Sequence, residues 1–467
     1  MGPRPWRRTQ REVPMNLACS CARKEAPRFV LALCLLVLCF CGASRPRAEA
    51  SVAESLGLGS RAVSMGGALT ALADDFSATF YNPGGLAAAD RSNVTVGGVW
   101  AKPWLYWWEK GGPKQHPDLL ATGAAYLGLT SNLSHLTGFR QLDPWTLGFC
   151  VYLPLERVLF TDIPPENTER RFLFYLDDTQ VLALLAGLAW KITPWLSVGL
   201  SGHFLADLRA PNEAVAEIDL RTVFPYLAGL GDLQKQVRPR IMRDAELKVA
   251  PIVGLRVQPA DWFLLGLTYH GKLYGETVGT QDILLRFTDV SSPNSSFQTA
   301  ILADIHYVHY WNPNRISLGA ALLSGPLAVS LDLAWADWSD YLDPMWYRPS
   351  PPFRDTWTPR LGLEYRFENR LVVRAGYAFQ KSPVPEQTGS SNYMDCDRHV
   401  VSFGAGYTFP RGPARILWKK PLTVEASVQY LELVERTYRK SDPVRYGGDL
   451  TLGGRMVHAG LSVTLHY

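Results

Sequence analysis

Past its first fifty residues the chain has no apolar run approaching the roughly 20 residues a membrane-spanning helix needs, so helical spans are excluded. It also has no long block of like charge. Its 47 Lys and Arg and 43 Asp and Glu are interleaved to a net charge of +4, and nucleic acid is dropped as a partner. Of seven cysteines, Cys19, Cys21, Cys34, Cys39 and Cys41 fall in the first fifty residues, leaving Cys150 and Cys396. Two cysteines so far apart do not make a disulfide framework, and no Cys-x-x-Cys pair lies past residue 50, so neither a metal nor another cofactor is expected. No Gly-x-Ser-x-Gly elbow and no His-Glu-x-x-His motif occurs. A rival reading as an outer-membrane lipase-like enzyme is left with His203, His270 and His399 and no motif to join them to a nucleophile.

What is abundant points elsewhere. There are 39 glycines, 15 tryptophans and 20 tyrosines in a chain of 467 residues, a profile that suits a barrel meeting lipid interfaces. At the N-terminus a basic stretch with Arg23, Lys24 and Arg28 precedes an apolar run from Phe29 to Cys41, then Ala48-Glu49-Ala50. This is the order of an export signal, with cleavage expected after Ala50. No cysteine follows the small residues as a lipid-attachment site would require, although Cys41 is close, and Met1 and Met15 remain alternative starts.

Beyond the signal, period-two alternation recurs in runs of about ten residues, the signature of a barrel strand. Ala459, Leu461, Val463, Leu465 and Tyr467 share one face, opposed by Gly460, Ser462, Thr464 and His466. Leu327, Val329, Leu331, Leu333 and Trp335 oppose Ser330 and Asp332, and Leu361, Leu363, Tyr365 and Phe367 oppose Arg360, Glu364 and Arg366. A soluble β-sandwich alternates too, but aromatics at strand ends (Tyr377, Phe379, Tyr407, Phe409, Tyr430) suit interfacial girdles. Strands are expected near 92–101, 121–128, 146–153, 181–191, 195–206, 246–257, 262–272, 314–323, 326–338, 357–367, 370–380, 399–409, 421–433 and 454–467. The expected fold is therefore all-β: a transmembrane antiparallel barrel of about 14 strands, an even number, with tight turns on one rim and long loops on the other. Residues 51–91 do not alternate and are expected as an N-terminal plug inside the lumen, followed by the barrel over 92–467.

Within that segment, Leu56-Gly57-Leu58-Gly59-Ser60-Arg61-Ala62 leads through Ala71-Leu72-Ala73-Asp74-Asp75 to Tyr81-Asn82-Pro83-Gly84-Gly85-Leu86. It resembles the N-terminal hatch of the FadL-type outer-membrane transporters of long-chain fatty acids and other hydrophobic compounds. The family usually has alanine where Gly84 stands. A dinucleotide fingerprint is set aside because no strand precedes these glycines. A second stretch similar to the family runs from Trp338 through Phe353-Arg354-Asp355 and Ser382-Pro383-Val384-Pro385 to Asp395-Cys396-Asp397-Arg398.

The resemblance implies passive uptake without a coupled energy source. A hydrophobic ligand, a long-chain fatty acid or an aromatic hydrocarbon, is captured by outer loops and bound in the lumen. It then passes a rearranging hatch formed by Asn82, Pro83 and Gly84, and leaves sideways into the membrane. It implies a basic residue for a carboxylate at Arg354, and arginine suits that task because its planar fork can hold both oxygens. Alternation adds Arg360 and Arg374 on the lumenal face. The capture groove is expected from the loops at about 207–244 and 273–313. In the first of these, Val215, Ile218, Val223, Phe224, Leu227 and Leu230 have the spacing of an amphipathic helix, with Phe224 and Leu227 as ligand contacts. Pro154 marks either the end of a strand or a break in the wall. Outer-membrane lipid and the barrel-assembly machinery are the remaining partners expected.

Overall fold

A computed structural model describes residues 57–467 apart from 90, 118, 120, 156–169, 173, 176–181, 207–211, 214–215, 220–233, 238–239, 244–246, 289–295 and 411–419. Fourteen antiparallel strands bond in sequence order into one closed barrel. They are β1 (Asn93–Glu109), β2 (Thr122–Asn132), β3 (Trp145–Pro154), β4 (Ala183–Thr193), β5 (Leu196–Ala206), β6 (Leu247–Ala260) and β7 (Phe263–His270), then β8 (Arg315–Ser324), β9 (Leu327–Ala336), β10 (Thr356–Arg366), β11 (Leu371–Gln380), β12 (Arg398–Phe409), β13 (Leu422–Tyr438) and β14 (Leu450–His466). The ring closes where β1 meets β14, from Asn93 opposite His466 to Glu109 opposite Leu450.

The alternation does what it predicts. Leu331 is 58% exposed and Leu461 57%, whereas Ser330 and His458 are fully buried. An oily outside and a polar inside would be inverted for a protein in water; against hydrocarbon they are the stable arrangement. Trp190, Trp195 and Trp262 are exposed near one rim, and Trp104, Trp357 and Tyr430 toward the other. Among the described residues no helix is long and apolar enough to cross a membrane.

Two strands run five or more residues past their expected ends, β1 to Glu109 and β13 to Tyr438. β1 continues to Glu109, because past the Ala101–Thr122 pair it leaves β2 but stays bonded to β14. Tryptophans and tyrosines on both of its faces there hide the alternation. The link between β2 and β3, long for a turn, carries a helix (Leu133–Thr137) and a 3-10 turn (Arg140–Leu142). The other rim bears longer excursions, including a hairpin of strands Leu273–Thr288 and Ser296–Asn312, extended by strands Arg240–Arg243 and Asn212–Glu213. The expected helix in 207–244 is not what forms where the chain is described. Ile218 lies in strand Ala216–Asp219, paired with strand Gln234–Val237. Phe224 and Leu227 lie outside the described residues.

The segment from Gly57 to Ala89 lies against the inner face of the wall. It contains helix α1 (Ser60–Ser64), helix α2 (Ala78–Tyr81) and a 3-10 turn (Pro83–Ala88). Its contacts rest on glycines at inward strand positions. A Cβ on Gly376 of β11 would come within 2.1 Å of the Gly66 nitrogen, one on Gly266 of β7 within 2.1 Å of the Thr70 carbonyl, and one on Gly199 of β5 within 2.2 Å of Pro83. Several of these glycines face each other across the ladder: Gly199 opposite Gly254, Gly266 opposite Gly319 and Gly362 opposite Gly376. The wall thereby presents a belt of bare backbone on which another backbone can seat.

Candidate functional site

Polar side chains fix the N-terminal segment on two sides. On the β5–β7 side the bonds are neutral. Asn82 is fully buried; its amide nitrogen donates to the carbonyls of Thr70 (2.7 Å) and Leu255 on β6 (2.9 Å), and its oxygen accepts from the Gly84 N–H (3.0 Å). Asn82 thus bonds both within the segment and to the wall. Ser197 Oγ on β5 donates to the Gly84 carbonyl (2.8 Å) and Thr268 Oγ1 on β7 to the Tyr81 carbonyl (2.9 Å). A side chain at Gly84 would meet the Gly254 carbonyl at 3.0 Å, which accounts for glycine where the family has alanine.

On the opposite side the bonds are ionic. Glu364 of β10 accepts from Arg61 Nε of α1 (3.0 Å) and Arg374 Nε of β11 (2.7 Å) through one oxygen, and pairs with Arg366 (2.7 Å) through the other. Arg374 also donates to Glu425 of β13 (2.7 Å), and Arg61 to Asp74. Alternation placed Arg374 inward, and it is inward, but its guanidinium is engaged by two carboxylates and holds the N-terminal segment to the wall.

Toward the long-loop rim lies a chamber of about 100 Å³, lined by Arg315, Arg360, Lys381 and Arg398 with Phe174, Trp311 and Trp338; the remaining lining is Asn312, Pro313, Ala336, Thr356, Thr358, Gln380 and Pro383. Among the described residues no carboxylate lines it. Four cations therefore line one space, a concentration of one sign of charge that invites an anion. Arg360 and Lys381 have no hydrogen-bond or ion-pair partner among the described residues. Arg398 donates one nitrogen to the Tyr175 hydroxyl (2.5 Å) and lies over the rings of Phe174 and Tyr175, while its buried Nε has no partner. Arg315 lies 5.8 Å from the ring centre of Phe80, which in turn packs edge-on against His270 at 5.0 Å, so α2 contributes an aromatic residue to the region beneath the cations.

Arg354 is elsewhere. It is exposed, its backbone N–H donates to the Pro383 carbonyl (2.9 Å), and it lines a second cavity of about 370 Å³ with Asp355, Lys381, Ser382, Val384, Pro385, Asp397, Val434, Glu435 and Arg436. Here cations and carboxylates are mixed. The Ser-Pro-Val-Pro and Asp-x-Asp-Arg stretches shape both cavities. Asp397 accepts from the Ser382 N–H (2.8 Å), Arg436 donates to the Val384 carbonyl (2.7 Å), and the buried Asp395, its carboxyl pushed up by desolvation, accepts from Tyr175 (3.3 Å). Pro154 is the last residue of β3 and lies opposite Ala124 of β2, whereas the pairing of β3 with β4 ends at Tyr152 opposite Ala183.

The outer hairpin is tied down by Glu276, which accepts from Lys248 (2.6 Å) and His306 Nε2 (3.0 Å); these two bonds, Lys248 first, hold its carboxyl below the ordinary range. Trp311, at the end of the same hairpin, packs at a tilt against Tyr274 (5.8 Å) and edge-on against Tyr341 (5.8 Å), and lines the basic chamber.

A ring of strands oily without and polar within, stopped by a segment seated on its inner wall and carrying a basic chamber above it, is the architecture of an outer-membrane β-barrel transporter of hydrophobic compounds. The family model described as "Outer membrane protein transport protein (OMPP1/FadL/TodX)" matches residues 39–452, and the chain belongs to that family. Alkane uptake protein A of Marinobacter nauticus is 26% identical over 407 residues, covering 81% of this chain and 82% of the relative. The long-chain fatty acid transport protein of Escherichia coli is 28% identical over 112 residues, covering 22% of this chain and 23% of the relative. Of solved structures, a Pseudomonas aeruginosa FadL homologue aligns with a TM-score of 0.53 at 18% identity over 91% of this chain and 99% of that one. The toluene transporter TodX of Pseudomonas putida aligns with a TM-score of 0.55 at 16% identity over 88% and 99%. At such identity these structures share the fold.

Proposed function

We propose that the protein takes up hydrophobic carboxylic acids, long-chain fatty acids among them, by passive diffusion. The observation that carries this reading is the chamber of four basic side chains without a carboxylate among its described lining residues. A hydrocarbon has no use for such charges, whereas a carboxylate is drawn to them and can be held by an arginine fork. In this reading Arg360 and Arg398 bind the head group. Residues 51–91 form a hatch that rearranges around Asn82, Pro83 and Gly84, after cleavage of residues 1–50. Both termini face the periplasm and the long loops face outward, with Phe224 and Leu227 contributing to the capture groove. Arg354 serves as an outer docking point rather than the chamber's anchor, and Arg374 holds the hatch. Release is sideways into the membrane, as the family resemblance implies. Barrel-assembly machinery and outer-membrane lipid are the partners of biogenesis.

A second reading, uptake of aromatic hydrocarbons, is favoured by the rings of Phe174, Trp311 and Trp338 in the same lining. Uptake of labelled oleate and labelled toluene by cells with and without the gene separates the two. Gene-dependent entry of oleate is expected; gene-dependent entry of toluene alone would remove the carboxylate reading.

A further inference from the structure

Within the carboxylic-acid reading, on which this inference rests, we infer that the chamber selects acids bearing an aromatic ring over acids bearing an alkyl chain. The lining is unusual in what its carbon surface is made of. Among the described residues it has no leucine, isoleucine, valine or methionine; its apolar surface comes from Phe174, Trp311 and Trp338, with two prolines and an alanine. An alkyl tail packs on any apolar surface, so a site built for one has no reason to avoid aliphatic side chains. A ligand ring gains from tryptophan and phenylalanine what an alkyl tail does not, because ring edges and faces carry opposite partial charge and attract each other in stacked or edge-on geometry.

The charges lie against the same rings. Arg398 stands 5.7 Å from the centre of Phe174, and Phe174 meets Trp338 edge-on at 5.1 Å. A flat ligand inserted beside Phe174 would have guanidinium groups at its carboxylate end and also near its π face, two attractions that one rigid molecule can satisfy together. A cavity of about 100 Å³ cannot enclose an extended long alkyl tail, which would have to leave the chamber. The ring contacts also continue outward. From Trp311 they pass to Tyr341, and from Tyr341 to Phe353, whose rings stack 4.6 Å apart and within 4° of parallel.

The test uses the full-length mature barrel in detergent and competition binding of three probes: 2-naphthoate, decanoate and naphthalene. Naphthoate is expected to bind about tenfold more tightly than decanoate. Trp338→Leu, and separately Trp311→Leu, should shrink that ratio to about two by weakening naphthoate while leaving decanoate within twofold. Arg360→Gln should weaken both acids alike and leave their ratio unchanged. Should decanoate bind as well as naphthoate to the wild-type barrel, the aromatic preference is overturned while the acid reading stands. Should naphthalene bind as well as naphthoate, the head-group assignment fails and takes this inference with it. The wild-type comparison needs no substitution, so a variant that does not fold leaves the answer intact.

Discussion

The two cavities near the long-loop rim share Lys381 and little else. One is lined by four cations without a carboxylate among its described residues; the other sets Arg354, Lys381 and Arg436 beside Asp355, Asp397 and Glu435. Basic residues are thus at hand in both, and the difference lies in whether carboxylates share the described lining. A cation beside a carboxylate has less to offer an incoming anion, and in an exposed, screened setting the pair itself is worth little. Concentration of one sign in a walled space is what gives an anion a reason to stop there.

The sharpest way to break the contrast is to make the first cavity resemble the second. Gln380→Glu places an acid in the basic chamber's lining and should reduce fatty-acid affinity by more than tenfold in equilibrium binding; an unchanged affinity would mean the four cations do not act on the ligand. Arg374→Gln asks whether the ionic seam below belongs to the chamber. It removes one partner of the buried Glu364 and should lower unfolding stability by about 3 kcal/mol, seen as an earlier urea midpoint, because a buried charge loses part of its compensation. Ligand affinity should stay within twofold, and a larger loss would join Arg374 to the binding site. Arg354→Ala, in the mixed cavity, should weaken binding no more than threefold, with a tenfold loss transferring the anchor's role from Arg360 to Arg354.

The smallest effect expected is one of pH. Trp311 ties the basic chamber to the outer hairpin, and Glu276 pins that hairpin through Lys248 and His306. Since these bonds hold the Glu276 carboxyl below its ordinary range, their contribution is complete above that range and disappears as pH falls through the lowered value. Protease cleavage in the hairpin should accordingly rise on acidification, and Glu276→Gln should flatten that dependence. Cleavage that rises equally in the variant would assign the effect to another group.

The barrel was legible because its signal is repeated: each strand alternates, and all fourteen expected strands form. β1 past Ala101 was not, since aromatic residues on both faces erase the period there. In the loop containing Ile218 the described residues pair as short strands, where helical spacing had been read. The site was legible in part. Parity placed Arg360 inward, and Arg398 stood within the quoted Asp-x-Asp-Arg stretch without being singled out. Arg315 and Lys381 sit where strands begin or end, and nothing local distinguishes them; they become a site only when strands distant in sequence are rolled into one wall. Arg354 was chosen by family likeness, and alternation has no power to position a loop residue. The glycine belt did leave a trace, in glycines recurring at mid-strand positions such as Gly199, Gly254, Gly266 and Gly319, where strands ordinarily avoid them.

That belt bears on how the molecule is put together. Where Gly376 lies against Gly66 and Gly266 against Thr70, backbone touches backbone with no side chain between to yield. The hoop that closes with His466 beside Asn93 therefore holds its inner segment by shape, and a side chain added anywhere along the belt would lift that segment off the wall.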